Sequence, residues 1–299
     1  MLIILGHAIV VGTALGTLVG ALARADEVEW SISAERLEDE ADEHWPIPVD
    51  LGGVDAETEI VFTTPGTEKI TLDLYRPQVR GNEPLPCVVA IHGGGWRVNT
   101  KEWFAPHAVY LARAGFVAVT INYRKLPEHP VKACVDDAKA AIRWVRAHAS
   151  ELGIDPARVG ALGGSAGGHL AAVLATNSET DCRVDAAVGF ATADIGHPGV
   201  ASYLEALDLN QEQARELGAY PYVTKDAAPI LLVHGTADEA VPVTVSQDLH
   251  KRYQQVGAHS ELKLLDGYQH VFYVTPKTFF EAMSYASAFF EKQLGKPQH

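Results

Sequence analysis

From Cys87 onward the chain alternates short, unbroken apolar runs with longer stretches of helical period. The runs are Cys87 to Ile91, Val117 to Ile121, Val159 to Leu162, Ala186 to Phe190, Ile230 to Val233 and Leu262 to Leu265. Between them, helical spacing predicts Trp103 to Ala114, Val131 to Ser150, Ala166 to Asn177, Val243 to Gly257 and Lys277 to Gln293. Strands without polar alternation must be buried on both faces, so the pattern predicts an α/β fold: a mostly parallel twisted sheet with helices on both sides. Asp155-Pro156 makes a tight link into the third run, and Ile195 to Ala228 carries no clear pattern.

Upstream the pattern changes. Glu59 to Phe62 and Lys69 to Tyr75 alternate apolar and polar residues around the turn Thr64-Pro65-Gly66, as a hairpin at a sheet edge does. Residues 26–53 are acidic and punctuated by proline, which predicts a linker and an N-terminal wrap over a domain spanning residues 54–295. Leu2 to Leu22 is free of charge and leads to Ala23-Arg24-Ala25, an A-x-A site before the acidic Asp26, Glu27 and Glu29. Residues 1–25 therefore predict a signal peptide and an exported protein, periplasmic or secreted; an uncleaved membrane anchor is the alternative.

The formal net charge of −14 argues against a nucleic-acid partner, because phosphate binding needs a basic stripe that the 24 Lys and Arg do not form. Cys87, Cys134 and Cys182 are odd in number and lack C-x-x-C spacing, so neither zinc nor a definite disulfide is implied; each reads as a small buried hydrophobe.

In an open α/β sheet the working groups lie beyond the carboxyl ends of the strands. The third run enters Gly163-Gly164-Ser165-Ala166-Gly167 and then an alanine-rich helix, the strand-turn-helix context of a nucleophile elbow with Ser165 at its apex. The first run ends in His92-Gly93-Gly94-Gly95-Trp96, where consecutive glycines turn backbone N–H groups into a cleft, and the N–H of Ala166 adds a donor. The fifth ends in His234-Gly235-Thr236-Ala237-Asp238. Asp238 is the favoured acid over Asp248 and Asp266, with Glu239 a substitute. Of the histidines after it, His250, His259, His270 and His299, only His270 lies in a loop that follows the last strand, which makes it the candidate base. Trp96 is a candidate for the pocket floor or for packing, and Tyr203 and Tyr220 to Tyr222 for a roof or for surface. This chemistry calls for no metal and no cofactor.

With these residues in place, HGGGW at 92–96, YRKLPEHP at 123–130, GIDPARV at 153–159, GGSAGG at 163–168 and HGTAD at 234–238 together resemble the hormone-sensitive-lipase-like esterases of the α/β-hydrolase superfamily. His169 and the short segment before Asp238 are more similar to the bacterial feruloyl and acetylxylan esterase branch. The resemblance spans about Asp50 to Gln293. It implies a Ser165, Asp238, His270 triad, an oxyanion hole from the N–H groups of Gly94, Gly95 and Ala166, and a small-molecule or saccharide ester as substrate. Two features depart from the pattern: Gly164 stands where an acidic residue usually precedes the serine, and no large N-terminal helical cap is present. A short-chain carboxylesterase or lipase is the neighbouring alternative; a peptidase of the prolyl-oligopeptidase kind and a non-catalytic hydrolase-fold binding module are more distant ones.

Overall fold

The computed structural model describes residues 47 and 49–296. The expected leader, residues 26–46 of the expected linker and His299 lie outside the described residues. Ile47 is buried against the core, and the Arg113 guanidinium holds Asp50 and Gly52 through their carbonyl oxygens and the Asp50 carboxylate.

Eight strands form one sheet in the order β1-β2-β4-β3-β5-β6-β7-β8. They are β1 (Val54–Thr63), β2 (Ile70–Pro77), β3 (Leu85–Ile91), β4 (Val117–Ile121), β5 (Ile154–Gly164), β6 (Ala186–Phe190), β7 (Ile230–Gly235) and β8 (Ser260–Leu265). β1 with β2, and β2 with β4, run antiparallel, and every pair from β4 to β8 runs parallel. Every residue of β3, β4, β6 and β7 is buried, which is why these strands read as unbroken apolar runs.

The helices are α1 (Ala105–Arg113), α2 (Val131–Ala147), α3 (Ala149–Leu152), α4 (Ala166–Thr176), α5 (Gln211–Leu217), α6 (Thr244–Val256) and α7 (Pro276–Leu294). Along β3 the side chains alternate between two cores. Cys87, Val89 and Ile91 join α2, α4 and α6 on one face; Val88 and Ala90 join α1 and α7 on the other. Cys87, Cys134 and Cys182 are free and buried. Among the described residues no helix is long and apolar enough to cross a membrane.

Three local differences from the sequence pattern have physical causes. The link Asp155-Pro156 sits inside β5, where pairing to β3 jumps from Ile154 to Val159; Asp155 accepts the Ala157 N–H at 3.0 Å and pairs with Arg158, so these residues bulge from the ladder. The helix expected from Trp103 begins as a 3₁₀ turn over Lys101–Phe104, with Pro106 in the first turn of α1. The patternless stretch holds α5 between 3₁₀ turns at Pro198–Tyr203 and Tyr220–Tyr222, elements too short to show a period.

Candidate active site

The loops after β3, β5, β7 and β8 leave the same edge of the sheet, from strands that are neighbours or one strand apart. Ser165 stands at the junction of β5 and α4 with φ 54° and ψ −117°, a left-handed conformation costly for a residue with a side chain. Its N–H is held by the Phe190 carbonyl oxygen at 2.8 Å. The turn closes only because its flanks are glycine: a Cβ on Gly163 would lie 2.1 Å from the Gly167 oxygen, and one on Gly167 2.1 Å from the Ile91 oxygen.

The structure brings Ser165, His270 and Asp238 into one hydrogen-bonded chain. Ser165 Oγ–H donates to His270 Nε2 at 3.0 Å, and His270 Nδ1–H donates to Asp238 Oδ2 at 2.8 Å. A carboxylate oxygen only accepts, so it sets the imidazole tautomer and leaves Nε2 free to receive the serine proton. Asp238 Oδ1 accepts the N–H groups of Ala240 at 2.9 Å and Val241 at 2.8 Å. The Asp238 side chain is fully buried. Burial alone would raise its pKa, but contacts from His234 and His270 and the Val241 N–H outweigh it and hold the carboxyl well below the usual carboxylate range.

His234 was not singled out in the sequence, although it opens the HGTAD motif. Its Nε2 lies 3.1 Å from the Val241 oxygen and 3.0 Å from Asp238 Oδ2, so one N–H faces both acceptors. Its Nδ1 is 2.7 Å from Ser246 Oγ. The buried ring therefore braces the turn that carries the acid.

The competing residues are engaged elsewhere. Asp248 is 3.1 Å from His197 Nε2, Asp266 accepts the Thr236 hydroxyl, and Glu239 is exposed. His250 pairs with Ser260, and His259 with Glu261.

In the glycine loop Gly94 has φ 118° and Gly95 φ 59°, values that favour glycine. A Cβ on Gly94 would meet the Val98 oxygen at 2.4 Å. Among the described residues no acceptor takes the N–H of Gly94 or Gly95. Ala166 N–H is at the first position of α4, where no intrahelical partner exists. Trp96 is 4% exposed, and its indole N–H donates to His169 Nδ1 at 3.2 Å. Tyr203 donates its hydroxyl to the Ala240 oxygen, Tyr220 packs edge-on against His197, and Tyr222 is exposed.

Gly164, the departure from the esterase pattern, also has a partner. A Cβ there would lie 2.2 Å from Tyr273 Cε2, so the Tyr273 ring fills the space where a residue before the serine carries its side chain. That ring stacks on Phe190 and faces His270 edge-on. Its only sequence signal is a position three residues after the histidine. Among the described residues the grouping with metal-ligand spacing is the exposed Glu179 and Asp181 with the buried Cys182, where Lys139 and Arg143 already pair with the carboxylates.

A mostly parallel eight-stranded sheet with this elbow defines an α/β-hydrolase. The family model BD-FAE matches residues 72–253, and the chain belongs to that family. A probable carboxylic ester hydrolase of Mycobacterium tuberculosis, LipM, is 32% identical over 210 residues, covering 62% of this chain and 49% of that protein. The carboxylesterase NlhH of the same organism is 46% identical over 102 residues, covering 34% of this chain and 31% of its own length. The chain thus spans about half the length, or less, of these curated relatives. Among solved structures, butyrate-bound esterase 2 of Thermogutta terrifontis superposes with a TM-score of 0.73 at 28% identity, covering 84% of this chain and 98% of that one.

Proposed function

We propose that this protein is a carboxylic ester hydrolase in which Ser165 is the nucleophile, His270 the general base and Asp238 the orienting acid. The observation that carries the reading is the continuous chain from Ser165 Oγ through His270 to Asp238. Ser165 Oγ attacks the ester carbonyl carbon as its proton passes to His270 Nε2. The N–H groups of Gly94, Gly95 and Ala166 hold the oxyanion, each such donor being worth ~3–4 kcal/mol. The carbonyl–alkoxy bond breaks, and the alcohol leaves with the proton from His270. Water then gives a proton to His270 and attacks the acyl-enzyme, releasing the acid and restoring Ser165.

The substrate is an ester of a short acyl group, acetyl or feruloyl, and its alcohol includes sugars. The motif resemblance, the family and the short segments above the cleft support this reading, as does the structural neighbour, an esterase bound to butyrate. A panel of acetylated xylan, methyl ferulate and p-nitrophenyl esters of rising chain length, ranked by kcat/KM, identifies the acyl group; a preference for long chains would sink the assignment. Residues 1–25 direct export, so the processed protein is expected outside the cytoplasm with its N-terminus at Asp26.

Ser165→Ala is expected to lower kcat on p-nitrophenyl acetate by about 10⁶ without unfolding the chain, as loss of the nucleophile does in other triads. A fluorophosphonate probe should label the parent and not the variant. Turnover retained by the variant would remove Ser165 from the mechanism.

A further inference from the structure

Three walls of the cleft meet at His169, a side chain that the reaction steps do not use. It lies on α4 one turn beyond Ser165, and its backbone N–H donates to the Ser165 carbonyl oxygen at 3.0 Å. Its ring is fully buried. Trp96 Nε1–H donates to Nδ1 at 3.2 Å, and Nε2–H donates to the Leu217 carbonyl oxygen, at the end of α5, at 2.9 Å. An indole N–H only donates and a carbonyl only accepts, so both bonds require the neutral ring with its proton on Nε2. Burial favours that neutral form, against the opposing charge of Asp194.

What this ring holds is an unfavourable backbone. Trp96 follows Gly95 directly and has φ 59°, a region that side-chain-bearing residues enter only when their surroundings impose it. The indole packs edge-on against His169, with ring centroids 5.4 Å apart. The Trp96 carbonyl oxygen accepts the Leu126 N–H at 2.9 Å, and the bond to His169 is the side-chain anchor of this strained segment, whose two preceding glycines carry the unpaired N–H groups.

Resting on the esterase reading above, we propose that His169 is a positioning residue: by accepting the Trp96 indole N–H it keeps Gly94 and Gly95 aimed at the oxyanion. Through Leu217 the same ring ties that loop to the segment above the cleft. Trp96 accordingly acts through its N–H and its packing.

Two substitutions separate the halves of this bridge. In His169→Asn the amide oxygen can stand in for Nδ1 and accept from Trp96, while in His169→Gln the amide nitrogen can stand in for Nε2 and reach Leu217. His169→Gln and Trp96→Phe should each lower kcat by about 10- to 100-fold with KM nearly unchanged, the size expected when oxyanion donors are displaced but present. His169→Asn should retain most of the activity, and the His169→Gln, Trp96→Phe double variant should be no worse than the single ones. Affinity for a boronic acid, which mimics the tetrahedral state, should fall in step with kcat.

An independent readout is the Trp96 indole N–H resonance in ¹⁵N-labelled protein, assigned from Trp96→Phe. It should shift in His169→Gln and hold its position in His169→Asn. Equal losses in the Asn and Gln variants, additive losses in the double variant, or an unmoved indole signal would overturn the proposal. Absence of ester turnover in the parent would instead overturn the esterase reading, with the indole signal still reporting the Trp96–His169 bond.

Discussion

At the scale of single residues the site depends on a few contacts with little tolerance. Asp238→Asn would present an amide donor to His270 and favour the wrong tautomer, so kcat should fall by about 10⁴ with the fold intact. Steady-state kinetics beside a thermal melt check this, and a loss under tenfold would mean that another group orients His270. Gly164 is constrained from a different direction. The buried Tyr273 ring it faces stacks on Phe190 and meets Phe272 edge-on, so moving it aside would break both contacts. Gly164→Asp, which restores the usual acidic residue, should therefore destabilise the protein by about 1–3 kcal/mol through overpacking. Adding Tyr273→Ala should recover part of that loss in urea denaturation; simple additivity would show that the two positions do not compete for space.

Between residue and fold, the segment from Ile195 to Ala228 is the element whose place is hardest to read from the chain. It is held mainly by Asp194, a fully buried carboxylate that accepts the N–H groups of Gly196 at 3.1 Å, Ala219 at 2.9 Å and Tyr220 at 2.6 Å. Arg97 reaches the Ala206 carbonyl oxygen, and Tyr203 reaches that of Ala240, so the segment is tied to both the glycine loop and the acid turn. Asp194→Ala would leave three backbone donors without their partner, each costing ~1–3 kcal/mol if it stays dry. The expected result is a stability loss of about 3 kcal/mol or more and faster limited proteolysis within residues 195–228, with Asp194→Asn closer to the parent. Asn210 and Gln213 form a reciprocal capping box at the start of α5, an N-x-x-Q signature that a search for hydrophobic period passes over. The 3₁₀ turns around it leave no comparable trace.

For the molecule as a whole, buried histidines couple folding to pH, His92 and His107 among them. Burial outweighs the bond to the Gly93 oxygen at His92 and pushes its pKa down to about 4, and it outweighs the bond to the Tyr273 oxygen at His107 and pushes that ring down to about 3. In the unfolded chain both return to about 6.5. Between those values the unfolded state binds more protons than the folded one. Stability from these rings is therefore complete above pH ~6.5 and lost as pH falls toward 4, by about 1.4 kcal/mol per pH unit for each ring. Urea midpoints measured from pH 7 to pH 4.5 should decline, and His107→Gln should decline less steeply by about one proton; parallel slopes would show that His107 is not held neutral.

The sequence by itself determined the character of the sheet and singled out the residues that the structure joins in one hydrogen-bonded chain. Strands buried on both faces must be continuously apolar, so β4 and β6 could be read to the residue, and an elbow needs glycines where backbone meets backbone, which picked out Ser165. Its place just past a strand end favoured Asp238 as the candidate acid, and chain order with loop position then left His270 as the candidate base. Only the tertiary structure decided what surrounds them. That Tyr273 fills the space over Gly164, that His234 braces the acid turn, and that Trp96 spends its N–H on His169 are contacts between residues 7 to 109 positions apart. No local period or motif records such distances, because side-chain packing across a sheet edge is set by where separate strands end, not by the spacing of residues along any one of them.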